Sequence, residues 1–239
     1  MIKKAYFHGD PNKSNNVKTG SFYDSAQLGI QWVLKEAWGA NSSAVGNYNF
    51  NDWWSWDNNY QKGVRKSPRN VQRFTRFVSY CLFESDNSKK RIFNLKSLEV
   101  LKNENNKEKG INNGPFKEAL RKTSVMNIIE NPTQNKTTTD SRLVGEWRKE
   151  KNNVFDTIDD AKPQVLVFCI RPDLFKRCFL GDLKNKYQAV TTINDTDRVL
   201  FLEDPQNARL IIAMRHPARF SYGTATEIVN EFCKWKGIQ

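Results

Sequence analysis

The sequence has few of the residues that build metal sites and disulfide frameworks. Its 239 residues include two histidines and four cysteines, and no two cysteines have the Cys-x-x-Cys spacing of a zinc site. The cysteines are widely spaced, and three of them lie in apolar runs, so we interpret them as reduced residues of a cytoplasmic protein. We therefore expect no metal ion, iron–sulfur cluster or other cofactor.

Long apolar segments are also missing. No run approaches the roughly 20 apolar residues that a membrane span needs. The first residues carry two lysines but no apolar stretch before Gly9. We expect neither a signal peptide nor a contact with a membrane.

Charge, in contrast, is abundant and unbalanced. Lysine and arginine total 38 against 26 acidic residues, which gives a formal net charge of +12. Such a balance favours an anionic polymer as the partner. It leaves three classes open: a nucleic-acid enzyme, a nucleic-acid-binding module, or an ordinary basic protein.

Hydrophobic patterning predicts a three-layer α/β fold, with a central parallel sheet of about four strands flanked by helices. Continuous apolar runs are typical of strands that are covered on both faces. The predicted strands are residues 4–8, 124–129, 164–170 and 210–214, and a further apolar run is 198–202. Apolar residues at helical spacing predict helices over 71–82, 143–158 and 225–232, and a further helix is predicted over 25–38.

Two stretches break this alternation. Residues 41–68 are rich in Asn, Trp and Gly, and residues 102–114 are rich in Asn, Lys, Glu and Gly. Because predicted strands lie on both sides of each stretch, we interpret them as irregular insertions in a single domain of residues 1–239.

Polar residues capable of chemistry accompany the ends of three predicted strands. Residues 8–12 read His-Gly-Asp-Pro-Asn, Asn127 lies in the strand that Asn-Pro ends, and His216 follows the last strand. Carboxyl ends of parallel strands meet at one edge of a sheet, so Asp10, Asn127 and His216 are expected to converge there. Each residue alone also fits a turn or a strand cap, and the prediction depends on their co-occurrence.

This constellation resembles the motifs of the uracil-DNA glycosylase superfamily. Gly9-Asp10-Pro11-Asn12 is similar to a first motif in which a strand ends in Gly-x-Asp-Pro-Tyr, although no residue separates Gly from Asp. Residues 210–222 are similar to the last motif, a strand followed by His-Pro-Ser and a wedging loop, with Ala218 in the place of Ser. Residues 126–136 resemble a strand that ends in Asn and a Pro-containing loop that ends in Asn-Arg, with Lys136 in the place of Arg.

The resemblance implies a monofunctional DNA glycosylase, which flips a base out of DNA and hydrolyses its N-glycosidic bond to leave an abasic site. Asp10 would position a water and stabilise the sugar cation, and His216 would donate to the leaving base. Asn127 would hydrogen-bond to the base edge with its amide, and Phe22 or Tyr23 would stack on the base.

The implied partner is DNA, bound by a monomer. Basic residues and the loop after the last strand are expected to contact phosphates or the gap left by the flipped nucleotide. These residues are Arg69, Arg73, Lys136, Arg219, Phe220 and Ser221. The basic residues also fit an ordinary solvated face, and Phe220 also fits a core position at the start of a helix.

The sequence departs from the uracil-specific members of the superfamily at a residue that is expected to contact the base. Asn12 stands where those members have the Tyr that helps to exclude a substituent at the pyrimidine C5. Trp53, Trp54 and Trp56 fit either a buried plug or an aromatic wall of an enlarged pocket. Some relatives in the superfamily remove glucosylated hydroxymethylcytosine from phage DNA in antiphage defence, so this base is the first predicted substrate.

Three other hypotheses remain open. A repair glycosylase for uracil or another deaminated base would carry the same constellation. A non-catalytic DNA-binding protein on the same fold would bind DNA without leaving abasic sites. A metal-dependent nuclease would use the chain's other carboxylates, but Glu146 and Glu150 have the spacing of exposed residues on an amphipathic helix.

Overall fold

A computed structural model describes residues 18–19, 23, 26–36, 66–108, 114–129, 138–217 and 221–239. The predicted strand at residues 4–8 lies outside the described residues. So does most of the predicted insertion at 41–68, including its three tryptophans.

Strands and helices alternate along the described chain. The strands are β1 Lys18–Thr19, β2 Ile30–Glu36, β3 Thr123–Ile129, β4 Val165–Phe168, β5 Thr191–Asp195, β6 Val199–Asp204 and β7 Arg209–Met214. The first helices are α1 Lys66–Ser88, α2 Ile92–Leu95, α3 Leu98–Lys107 and α4 Pro115–Arg121. They are followed by α5 Asp140–Ala161, α6 Pro172–Cys178, α7 Leu180–Lys186 and α8 Tyr222–Lys236.

The strands form one sheet in the order β1-β3-β2-β4-β7-β6-β5. Its centre is parallel: β2 pairs with β3 on one side and β4 on the other, and β4 pairs with β7. β1, β6 and β5 extend this centre by antiparallel pairing. The predicted α/β fold with about four parallel strands is therefore confirmed. The apolar run at 198–202 falls in the antiparallel strand β6, and the edge strands β1 and β5 are additional.

Two apolar layers cover the parallel strands. Trp32 and Val167 face a core that contains residues of α1, α4 and α8. Val33 and Phe168 face the opposite core, which contains residues of α5, α6 and α7. Burial on both faces explains why these strands are continuous apolar runs instead of alternating ones.

The predicted helix over residues 25–38 is wrong, because this segment contains β2, the strand between β3 and β4. Ile30, Trp32 and Val33 are fully buried. A short apolar run fits a buried strand as well as a helix, so periodicity alone does not separate the two. The β-branched and aromatic residues of this run favour the strand.

The predicted insertion at residues 102–114 begins inside a helix, since residues 102–107 continue α3. Asn105 is fully buried and accepts a hydrogen bond from Nε of the buried Arg76 at 2.7 Å. Part of this Asn-rich composition therefore serves a polar contact between α1 and α3. The other predicted irregular stretch, 41–68, overlaps the start of α1 at Lys66.

The burial pattern predicts where the sheet is most sensitive to substitution. Ile212 of β7 is fully buried, whereas Ile193 of the edge strand β5 is 38% exposed. We expect Ile212→Ala to lower the free energy of unfolding by about 2–5 kcal/mol, because it leaves a cavity between packed layers. Urea denaturation of both variants measures this, and Ile193→Ala should cost less than about 1 kcal/mol. Equal losses would contradict the two-layer arrangement.

Candidate functional site

The carboxyl ends of the parallel strands bring Asn127 and His216 to the same edge of the sheet. Asn127 lies on β3 opposite Leu34 of β2, two residues before β3 ends. The β2–β4 ladder continues past its last pair, because the backbone N–H of Cys169 donates to the carbonyl of Val33 at 2.8 Å. His216 lies two residues beyond the end of β7.

Two strands, β2 and β4, separate Asn127 from His216. With about 4.8 Å between strands and about 3.3 Å per residue, their backbones are on the order of 15 Å apart. The two side chains are therefore not direct partners. They flank the ends of β2 and β4 from opposite sides, an arrangement that suits a ligand held between them.

His216 is electrically neutral over the physiological range. Protein surrounds most of the imidazole, although part of the residue is accessible to solvent. This burial, together with the positive charge of Lys35, lowers the pKa of His216 to about 4. A neutral imidazole offers one N–H donor and one acceptor. At neutral pH, His216 can donate a hydrogen bond without adding a positive charge.

Lys35, next to the last residue of β2, places a cation near this edge. Its charge acts on both His216 and the Cys169 thiol. Burial nevertheless raises the pKa of Cys169, and Lys35 opposes that shift only in part. Cys169 is therefore a buried thiol and not an activated nucleophile. The chemically capable groups of the edge are the Lys35 ammonium, the His216 imidazole and the Asn127 amide.

Asn127 carries a buried amide oxygen. Within the described residues, its Oδ1 atom is buried and has no hydrogen-bond partner. Gln31 and Ser124 also have a buried side-chain atom without a partner. These two residues lie opposite each other on β2 and β3, near the amino-terminal ends of the strands and away from the carboxyl edge. Leaving a buried acceptor unpaired costs about 1–3 kcal/mol, so Asn127 is suited to accept a hydrogen bond from a ligand.

Tyr23 lies at the opposite edge from His216. Its hydroxyl donates to the carbonyl of Ala161 at 2.9 Å. Ala161 ends α5, just before β4 begins, so this bond joins Tyr23 to the amino edge of the sheet. Tyr23 is a buried packing residue there, and its position does not suit the predicted stacking on a base at the carboxyl edge.

Ser221 lies at the start of α8, five residues after His216. Its Oγ accepts a hydrogen bond from the backbone N–H of Thr224 at 3.4 Å and caps the helix. Capping uses the hydroxyl oxygen as an acceptor, which leaves its proton available for donation. Ser221 therefore has a structural role that is compatible with the predicted phosphate contact.

Basic side chains gather where α1, α3 and the first turn of α8 meet. Tyr222 packs edge-on against Phe77, with their ring centroids 5.0 Å apart, and Nζ of Lys102 lies 4.8 Å from the centroid of the Tyr222 ring. Burial raises the pKa of Tyr222, while the charges of Arg73 and Arg76 oppose the shift. This basic cluster, consisting of Arg73, Arg76, Lys102 and Tyr222, adjoins the helix that follows the His216 loop.

Within this cluster, the predicted DNA-binding residue Arg73 donates a hydrogen bond to Oδ1 of Asn106 on α3. Arg76, by contrast, is fully buried and holds Asn105. Arg69 lies one helical turn before Arg73 on α1. Of the two arginines on this helix that contact α3, Arg73 is therefore the one that is partly exposed to solvent.

Several predicted site residues lie outside the described residues. They are Asp10, Asn12, Phe22, Lys136, Arg219 and Phe220. Their predicted roles stay predictions.

Lys35 was not predicted from the sequence as a site residue. It directly follows the buried run 30–34, at the next-to-last position of β2. The signal was present in the sequence, since interpreting that run as a strand would have directed attention to the charged residue after it.

Within the described parts of the chain, no group of three or more His, Cys, Asp or Glu side chains is arranged to hold a metal ion. Among the described helices, none is long and apolar enough to span a membrane. Comparison with protein-family models, curated proteins and solved structures finds no match to this chain.

The low pKa of His216 predicts a pH-dependent stability. Between pH 6.5 and 4 the unfolded chain protonates this histidine and the folded protein does not, so folding weakens as pH falls. Above pH 6.5 the group contributes no pH dependence. When the pH falls from 7 to 4.5, we expect the free energy of unfolding to decrease by about 2 kcal/mol less in His216→Gln than in the wild type.

Urea denaturation of the wild type and His216→Gln at both pH values provides this measurement. The carboxylates and His8 are present in both proteins, so the difference between the wild type and the variant isolates the contribution of His216. An equal loss in the two proteins would show that His216 titrates normally.

Proposed function

We propose that the protein is a monofunctional DNA glycosylase, which flips a modified pyrimidine out of DNA and hydrolyses its N-glycosidic bond. The base proposed first is glucosylated hydroxymethylcytosine in phage DNA, which would make the protein an antiphage defence enzyme. The observation that carries the proposal is the presence, at the same carboxyl edge of the sheet, of a neutral His216 and of a buried Asn127 Oδ1 that has no partner among the described residues.

The chemistry of base excision suits these groups. When the bond between base and sugar breaks, negative charge develops on the base and positive charge on the sugar. A neutral imidazole can hydrogen-bond to the developing anion, and a fixed donor contributes most where water is excluded. The nearby Lys35 cation favours the same anion. His216 is therefore assigned to the leaving base, with Lys35 as electrostatic support.

Asn127 is assigned to recognition of the base edge. Its unpaired Oδ1 requires a donor, and both the exocyclic amine of cytosine and the N3–H of uracil are donors. The Asn127 amide alone therefore does not discriminate between cytosine and uracil. The preference for the glucosylated base depends on Asn12, which stands in the place of the excluding Tyr, and on Trp53, Trp54 and Trp56 forming the wall of an enlarged pocket instead of a buried plug.

DNA binding is supported by charge. The formal net charge is +12, and Arg73 and Lys102 contribute to the basic cluster at the start of α8. When binding depends on phosphate contacts, the logarithm of the binding constant falls linearly with the logarithm of the salt concentration. A non-catalytic DNA-binding protein shares this property, so the test of function must detect the product.

The test is formation of abasic sites in the presence of EDTA. Purified protein is incubated with uracil-containing DNA, unmodified DNA and T-even phage DNA, and abasic sites are revealed by alkali. We expect alkali-labile sites in the phage DNA alone. His216→Ala should slow their formation by about 100-fold or more, the typical effect of losing a positioned donor.

Asn127→Ala should also abolish most of the activity, because the base edge loses its partner. Asn153→Ala is the matched control: this asparagine is exposed on α5, where its amide donates to Glu150 at 2.7 Å. The control should retain the wild-type rate. Attack on the uracil-containing DNA would favour the repair enzyme, and cleavage without alkali that EDTA abolishes would indicate a nuclease.

Arg73 supplies a prediction about affinity. We expect Arg73→Gln to weaken binding to DNA of any sequence and to reduce the slope of log K against log salt by about 1. Lys149→Gln removes the same charge from α5, on the other face of the sheet, where Lys149 pairs with Glu146. Fluorescence anisotropy across a salt series measures both variants. An identical slope for Arg73→Gln and the wild type would remove Arg73 from the DNA interface.

A further inference from the structure

The turn between β5 and β6 lies at the same edge of the sheet as His216. Strand β6 is antiparallel to β7, so it begins where β7 ends, and Val199 pairs with Met214. Arg198 directly precedes Val199 in this turn. His216 lies two residues after Met214. The turn that carries Arg198 is therefore the neighbour of the loop that carries His216, on the side away from β4.

The hairpin of β5 and β6 contacts α8 at a regular spacing. The Asn194 amide donates a hydrogen bond to the carboxylate of Glu231 at 2.9 Å. The Thr196 hydroxyl donates to the carboxylate of Glu227 at 2.6 Å. These contacts are two residues apart on the hairpin and four residues apart on the helix, which are the repeats of one face of each element.

The next step of this series places Arg198 against Gly223 in the first turn of α8. A β-carbon on Gly223 would lie 3.0 Å from Nη1 of Arg198, so the guanidinium occupies the space that a side chain would fill. The helix therefore offers a glutamate at two steps and no carboxylate at the third. Within the described residues, which include the neighbouring Asp197, the guanidinium has neither an ion pair nor a hydrogen bond. Arg198 is exposed, so its charge is available to an anion from outside the protein.

The basic cluster lies on another side of the same helical turn. Tyr222, which directly precedes Gly223, packs edge-on against Phe77 of α1, and Nζ of Lys102 lies over its ring. Consecutive residues of an α-helix are about 100° apart around the axis. The first turn of α8 itself contains no acidic residue. Positive charge therefore flanks the start of α8 on two sides, next to the His216 loop.

We propose that Arg198 binds a phosphate of the DNA strand, so that the DNA backbone crosses the first turn of α8 between Arg198 and the basic cluster. The inference rests on DNA as the partner in the proposed function. An α-helix with its side chains is about 10–12 Å across. A DNA strand advances about 3.4 Å per nucleotide along the duplex axis, so the two contacts lie about three nucleotides apart.

Arginine suits this role, because its planar guanidinium can donate two parallel hydrogen bonds to a phosphate. Phosphate contacts fix the position of a protein on DNA and carry no direct information about the bases. The contribution of Arg198 should therefore be the same for modified and unmodified DNA. This property allows the contact to be tested separately from base excision.

The test is the salt dependence of binding to unmodified duplex DNA, measured by fluorescence anisotropy together with the melting temperature of each variant. We expect Arg198→Gln to melt like the wild type, to bind more weakly and to reduce the slope of log K against log salt by about 1. Arg198→Lys keeps the charge and should retain most of the slope.

The matched control is Arg148→Gln. Arg148 is also exposed and has no ion pair within the described residues, but it lies on α5, in the layer on the opposite face of the sheet from α8. The control removes the same charge from a surface that the proposed DNA path does not reach. It should keep the wild-type slope.

A wild-type slope in Arg198→Gln would overturn the proposed contact and leave the glycosylase function standing. An equal loss of slope in Arg148→Gln would also overturn it, because net charge alone would then explain the effect. So would a large drop in the melting temperature of Arg198→Gln, which would make the residue structural. A wild type that binds DNA with the expected slopes but forms no abasic sites in any DNA would instead refute the proposed function and support the contact.

Discussion

The pairing of β2 between β3 and β4 is the constraint on which the rest of the structure depends. β2 hydrogen-bonds in parallel on both sides and is buried on both faces, with Trp32 and Val33 fully excluded from water. The indole N–H of Trp32 also donates to Ser79 of α1 at 3.2 Å, which fixes the helix on the sheet. Because parallel strands end at one edge, this single arrangement brings residues that are far apart in sequence to the same edge of the sheet.

The electrostatics of that edge follow from its place in the sheet. His216 is neutral because the surrounding protein keeps water from the ring and Lys35 adds a positive charge nearby. Among the residues that the structure describes, the buried Oδ1 of Asn127 has no hydrogen-bond partner. These groups are suited to hydrogen-bond a polar, planar ligand and to favour a developing negative charge. The proposed excision of a flipped base requires both properties.

The sequence predicts most of the sheet but misplaces one strand. The runs at 124–129, 164–170 and 210–214 are long and apolar enough to identify buried strands directly. The run at 30–34 contains Gln31 and lies within the longer segment 25–38, which also fits a helix pattern, so its burial between two neighbours decides the assignment. That error hid Lys35, whose charge acts on His216. Tyr23 was misplaced for a related reason, since sequence distance from a motif does not specify which edge of the sheet a residue reaches.

The most direct test of the central claim is to identify what the protein releases from DNA. T-even phage DNA is incubated with the wild type in EDTA, and the small molecules set free are analysed by mass spectrometry before any alkali is added. The account predicts free glucosylated hydroxymethylcytosine base, with the DNA strands still intact. Release of nucleotides, or of nothing from a DNA that the protein binds, would contradict it.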